Sequence, residues 1–126
     1  MTDLRNLLII DDDPDIRELL SVILGRFNIP FTLAAHPEEA HEAVQKGRNN
    51  FTNVLIDYTL PGGTNGLQLA DKIRESLPSA DITITSGYSQ SMATGDLSAK
   101  GYRFLEKPFT PQEFLDILKT SDCPAG

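Results

Sequence analysis

Four short apolar runs each close on a polar residue. Leu7-Leu8-Ile9-Ile10 runs into Asp11-Asp12-Asp13, Val54-Leu55-Ile56 into Asp57, Ile82-Thr83-Ile84-Thr85 into Ser86, and Tyr102-Arg103-Phe104-Leu105-Glu106 into Lys107-Pro108. The runs do not alternate strictly, as expected of strands buried on both faces. The pattern predicts strands near 6–10, 31–35, 53–57, 81–86 and 102–106. A helical stripe of Ile16, Leu19, Leu20, Ile23, Leu24 and Phe27 predicts a first helix, N-capped by Asp13 with Pro14 at its first position. A second is predicted from Pro37 to Lys46, stopping at Gly47. A third uses Leu69, Ala70, Ile73 and Leu77 and ends before Pro78. A fourth near 89–99 is poor in apolar residues and contains Gly95. A last helix opens on Thr110-Pro111-Gln112-Glu113, a capping-box pattern, and continues through Phe114, Leu115, Ile117 and Leu118. Strand and helix alternate five times. That predicts an α/β fold with a five-stranded parallel sheet and helices on both faces.

The carboxyl ends of such strands share one edge, where ligands bind. The acidic cluster, lone Asp, hydroxyl and lysine therefore converge on one expected site. The 126 residues suit one domain over 1–126, with 121–126 expected as a flexible tail and no second domain. Eighteen acidic against eleven basic residues give a net charge of −7, which argues against direct nucleic-acid binding. No apolar run approaches the ~18 residues of a membrane span, and Met1–Arg5 has no secretion-signal pattern. Cys123 is the single cysteine, so no intrachain disulfide can form. A reducing, cytoplasmic setting is expected.

Asp11 and Asp12 directly follow a buried strand, whereas Asp13 and Asp15 read as a solvated loop and helix start. Close carboxylates repel unless a cation sits among them. Mg²⁺ (or Mn²⁺) takes carboxylates, waters and phosphate oxygens. Asp12 and Asp57 can supply carboxylates, and Asp11 can hold a metal-bound water. Asp57 can act as a nucleophile toward phosphorus. Lys107 offers a point charge to phosphoryl oxygens, Ser86 a hydrogen bond, and Gly87 close backbone approach. His36 and His41 read as surface residues without metal spacing. Gly62-Gly63 lacks the Lys-Ser/Thr of a P-loop and reads as a turn. Cys123 reads as an incidental tail residue.

These residues resemble the receiver domain of two-component response regulators over about 6–120. The marks are Leu8–Asp13, Val54–Pro61, Asn65-Gly66-Leu67, Thr85-Ser86-Gly87 and Phe104–Phe109. The resemblance implies a flavodoxin-like (CheY-like) three-layer (βα)5 sandwich. It implies Asp57 as phosphoacceptor from a histidine kinase or a histidine phosphotransfer protein. It implies Mg²⁺ on Asp12, Asp57 and the Thr59 backbone carbonyl, with Asp11 acting through water. Ser86 would be the switch hydroxyl, Lys107 the phosphate contact with a cis bond to Pro108, and Phe104 the aromatic switch, although core packing alone would also explain Phe104. Output would pass to an effector protein, or through a homodimer, by the surface of the fourth helix, fifth strand and last helix. Such a protein is a phosphorylation-controlled switch, not a turnover enzyme. It stands alone or belongs to a hybrid kinase or larger regulator.

Three features depart from the common pattern. Pro61-Gly-Gly-Thr-Asn-Gly66 is one residue longer than the usual turn, as in some receivers of hybrid kinases. Phe104 lacks a hydroxyl, and Ser86 stands for the commoner Thr. Tyr88 is expected to overhang the site and slow attack by water on the aspartyl phosphate. A phosphorylation-independent scaffold is one alternative, though such modules often lose an acidic, hydroxyl or lysine residue. A haloacid-dehalogenase-like phosphatase, with Asp11 and Asp13 as its acidic pair, is the other. It lacks the Thr or Val at Asp15, a late acidic pair and room for a cap domain.

Overall fold

Five parallel strands form the centre of the molecule, in a computed structural model describing residues 5–47, 51–60, 62, 65–87 and 100–122. The strands are β1 (Leu7–Ile10), β2 (Phe31–Ala34), β3 (Asn53–Asp57), β4 (Asp81–Ser86) and β5 (Arg103–Glu106), in the order β2-β1-β3-β4-β5. The helices are α1 (Pro14–Arg26), α2 (Pro37–Gly47), α3 (Gly66–Ser76) and α4 (Pro111–Asp122). The helix expected near 89–99 lies outside the described residues, as do Tyr88, Gly63 and Cys123. Among the described residues, no helix is long and apolar enough to cross a membrane.

Alternation within the strands divides the core in two. Leu8, Ile10, Val54, Ile56, Ile82 and Ile84 face α2 and α3, where Val44, Leu69, Ala70 and Ile73 cover them. Leu7, Ile9, Leu55 and Leu105 face α1 and α4, where Leu20, Ile23, Leu24, Phe114 and Leu118 cover them. The result is a three-layer, doubly wound sandwich. All four β1 residues are buried, which explains their unbroken apolar run.

Caps set the helix starts. The Asp13 side chain accepts from the Asp15 N–H and Pro14 opens α1. Asn65 and Gln68 form a reciprocal capping box on α3, and Thr110 and Glu113 form one on α4. One expectation is corrected. Leu19 and Phe27 belong to the predicted apolar stripe of α1 but are 38% and 55% exposed. Leu19 sits on the border of a face centred on Leu20, Ile23 and Leu24, and Phe27 is the C-cap, where the chain turns away. The final helix ends at Asp122.

Candidate functional site

Strand order reverses between β1 and β3. The chain leaves β1 toward β2 on one side, while β3, β4 and β5 lie on the other. A crevice opens at the carboxyl ends of strands at such a point. Register fixes what meets there. Ile10 pairs with Ile56, so Asp11 and Asp57 emerge side by side. Asp57 pairs with Thr85, and Ser86 with Glu106, which brings Ser86 and Lys107 to the same edge.

Asp11, Asp12 and Asp57 each offer a carboxylate oxygen, all within 4.8 Å of one another. The Lys107 Nζ stands 2.8 Å from Asp11 Oδ2 and 3.4 Å from Asp57 Oδ2. The Lys107 N–H donates to the Ser86 carbonyl (2.9 Å), which anchors the lysine to the end of β4, and the Lys107–Pro108 peptide is cis. Asp11 and Asp57 are buried, whereas Asp12 is exposed. The Thr59 N–H donates to Asp57 Oδ1 at 3.3 Å.

Burial pushes the Asp57 carboxyl up from 3.8 to about 6. The Asp11 charge adds to this, and Lys107 and the Thr59 N–H partly offset it. Burial disfavours the Lys107 ammonium, but the bond to Asp11 and the charges of Asp11 and Asp57 outweigh it, so its pKa lies above the usual lysine value. Three crowded carboxylates and one ammonium leave a surplus of negative charge. Such a set of hard oxygen donors fits a divalent cation such as Mg²⁺.

Gly66 belongs to the site for a steric reason. Its N–H donates to the Tyr58 carbonyl (2.7 Å), and a Cβ there would collide with the Asp57 backbone carbonyl. Gly62 takes φ +86°, a conformation that suits glycine. Asp13 is occupied as the α1 cap, which removes it from an acidic pair with Asp11.

Phe104 does not join the polar cluster. It is half-buried on the α2–α3 face of β5, packed against the larger core cluster. Its strand is tied on both sides. The Tyr102 hydroxyl donates to Asp71 Oδ1 of α3 (2.6 Å), and Arg103 donates to the Ile117 carbonyl of α4 (2.8 Å).

Sequence reasoning missed Arg17, whose guanidinium donates to the Asp11 backbone carbonyl (2.8 Å). The signal was faint: one cation placed a turn into the helix that follows an acidic loop.

A doubly wound sheet carrying acids and a lysine at its switch point defines a class of phosphate- and cation-handling α/β modules. The family model of the response regulator receiver domain matches residues 7–119, and the chain belongs to that family, the receivers of two-component systems. It is 35% identical over 115 residues to the response regulator protein PilR of Pseudomonas aeruginosa, covering 90% of this chain and 25% of that protein. It is 31% identical to the transcriptional regulatory protein SrrA of Staphylococcus aureus, covering 91% of this chain and 46% of that protein. The chain thus spans less than half the length of these relatives. Among solved structures, a CheY-like receiver domain protein from Methanospirillum hungatei superposes with a TM-score of 0.81 at 25% identity, covering 94% of this chain and 93% of that one. The receiver domain of the hybrid histidine kinase CckA superposes at 0.78, covering 92% and 97%; its 23% identity speaks for the fold alone.

Proposed function

We propose that this receiver takes a phosphoryl group onto Asp57 from a phosphohistidine on a histidine kinase or histidine phosphotransfer protein. The observation that carries the reading is the Lys107 ammonium set between Asp11 and Asp57, at 2.8 and 3.4 Å, within the acidic triad. A carboxyl with a pKa of about 6 is mostly ionised at neutral pH and can act as nucleophile. A carboxylate oxygen of Asp57 forms the new bond to phosphorus. The phosphorus–nitrogen bond of the donor breaks, and its electron pair stays with the departing imidazole. Lys107 draws charge from the transferring oxygens, and Ser86 donates a hydrogen bond to one of them. Asp12, Asp57 and the Thr59 carbonyl would hold Mg²⁺ or Mn²⁺ directly, with Asp11 acting through water. The cation supplies charge neutralisation at phosphorus.

On this reading the domain is a cytoplasmic switch that turns over no separate metabolite. Phe104 turns inward as Ser86 moves toward the phosphoryl group. The surface of the 89–99 segment, β5 and α4 then favours an effector protein or a second receiver. The spending of Asp13 on a helix cap counts against the phosphatase reading. The presence of Asp11, Asp12, Asp57, Ser86 and Lys107 together counts against a scaffold without phosphorylation.

The test is intact-mass analysis after incubation with acetyl phosphate and Mg²⁺. The expected result is one hydroxylamine-sensitive phosphoryl adduct on the parent and none on Asp57→Asn. A parent that stays unmodified with acetyl phosphate and with a panel of purified kinases would overturn the reading.

A further inference from the structure

We infer that Arg17 is a positioning residue for the divalent-cation site, holding the Asp11–Asp12 peptide so that both carboxylates face Asp57. The inference rests on the cation role proposed above for these acids. Asp11 lies where β1 leaves the sheet, and each of its polar handles is held. Its N–H donates to the Ala34 carbonyl on β2 (3.0 Å). Its Oδ1 accepts from the Asp13 N–H (2.9 Å) and its Oδ2 meets Lys107 Nζ at 2.8 Å. Its backbone carbonyl accepts from Arg17 Nη1 at 2.8 Å. Asp11 is 2% exposed, and a buried backbone carbonyl is costly to leave without a partner. Arg17 supplies that partner from one turn inside α1.

The carbonyl that Arg17 holds belongs to the peptide joining Asp11 to Asp12. The Asp13 N–H, bonded to Asp11, fixes the other side of Asp12. Asp12 is exposed, so its carboxylate direction depends on this clamped backbone rather than on packing. Arg17 thus acts on Asp12 through the main chain, without touching its carboxylate.

Two effects of Arg17 on a bound cation have opposite sign, and this makes the inference testable. Its positive charge repels a divalent cation nearby, so deleting the charge alone would tighten binding. Its hold on the peptide organises the ligands, so losing the hold weakens binding. The inference states that the hold dominates. Lysine keeps a charge and the single donor that this contact needs, whereas methionine keeps only the aliphatic stem.

The experiment is calorimetric Mg²⁺ titration of the parent, Arg17→Met and Arg17→Lys at fixed ionic strength, with circular dichroism of each protein before metal is added. Arg17→Met should fold, and its Mg²⁺ dissociation constant should rise at least about fivefold, while Arg17→Lys stays within about twofold of the parent. An unchanged or tighter dissociation constant for Arg17→Met overturns the inference and leaves the proposed function standing. An Arg17→Met chain that is unfolded without metal also overturns it, since Arg17 would then be a determinant of the fold. A parent that binds no Mg²⁺ removes the cation reading itself, and the inference with it.

Discussion

Replacing Asp57 by Asn deletes one buried charge and nearly preserves shape, so its effect on stability without added metal follows from the electrostatics around this carboxyl. The carboxyl titrates at about 6 in the fold against 3.8 ordinarily, chiefly through burial and next through Asp11. One pKa unit corresponds to about 1.4 kcal/mol. An ionised Asp57 therefore opposes folding by about 3 kcal/mol. Between pH 3.8 and about 6 the folded chain binds more protons at this group than the unfolded chain does, so stability falls as pH rises, and the loss is complete above the folded pKa. Asn escapes this loss. In a chelating buffer the variant should exceed the parent by about 3 kcal/mol at about pH 7.5, and by less than about 1 kcal/mol at about pH 4. Urea unfolding followed by far-ultraviolet circular dichroism at the two pH values measures the difference. Added Mg²⁺ should stabilise the parent more than the variant, narrowing the gap at the higher pH. A gap of equal size at both pH values would refute the reasoning, because it would show that the benefit of Asn does not come from removing an ionised carboxylate.

Three further substitutions probe the same edge of the sheet. Lys107→Met leaves Asp11, 3% exposed in its side chain, without its ammonium; it should cost about 3 kcal/mol in metal-free urea unfolding, with part restored by Mg²⁺. Thr85→Val removes a buried hydroxyl oxygen that has no hydrogen-bond partner among the described residues. It should raise stability by about 1 kcal/mol, and a measured loss would show that the hydroxyl is bonded in solution. Gly66→Ala drives a methyl group into the Asp57 carbonyl and should cost at least about 2 kcal/mol; a chain of parental stability would show that the β3–α3 loop gives way freely.

The sheet and its edge were legible because the central strands β1, β3 and β4 are buried on both faces. Such strands appear as bare apolar runs, and the polar residue that ends each run marks where the chain leaves the core. Order along the chain was enough to gather Asp11, Asp57, Ser86 and Lys107 at one edge. Contacts made across the fold were not legible. Gly66 must lack a side chain because the Asp57 carbonyl approaches it through tertiary packing. Arg17 reads as an ordinary helix-surface cation until the Asp11 carbonyl is seen to turn toward it. Leu19 and Phe27 show the limit of periodicity, which gives the direction of a buried face but not its edge. The local hydrogen bonds at Asp13 and Thr110 were foreseeable because caps need only neighbouring residues.

Charge accounting around Asp57 also sets an order of events on the proposed reading. Asp11, Asp12 and Asp57 bring three negative charges and Lys107 one positive, a surplus of two when all are ionised. A phosphoryl donor is itself anionic, so this surplus repels it over the last few ångströms, where low solvent access weakens screening. A divalent cation cancels the surplus. Mg²⁺ binding should therefore precede transfer and lower the Asp57 pKa, increasing the ionised nucleophile at mildly acid pH. The ammonium lies nearer to Asp11 than to Asp57. Lys107 has only to shift its contact from the carboxylates toward the new phosphoryl oxygens, and its backbone can stay anchored to Ser86 while it does so. That anchor joins Lys107 to the end of β4 and, through the β4–β5 pairing, to the strand that carries Phe104.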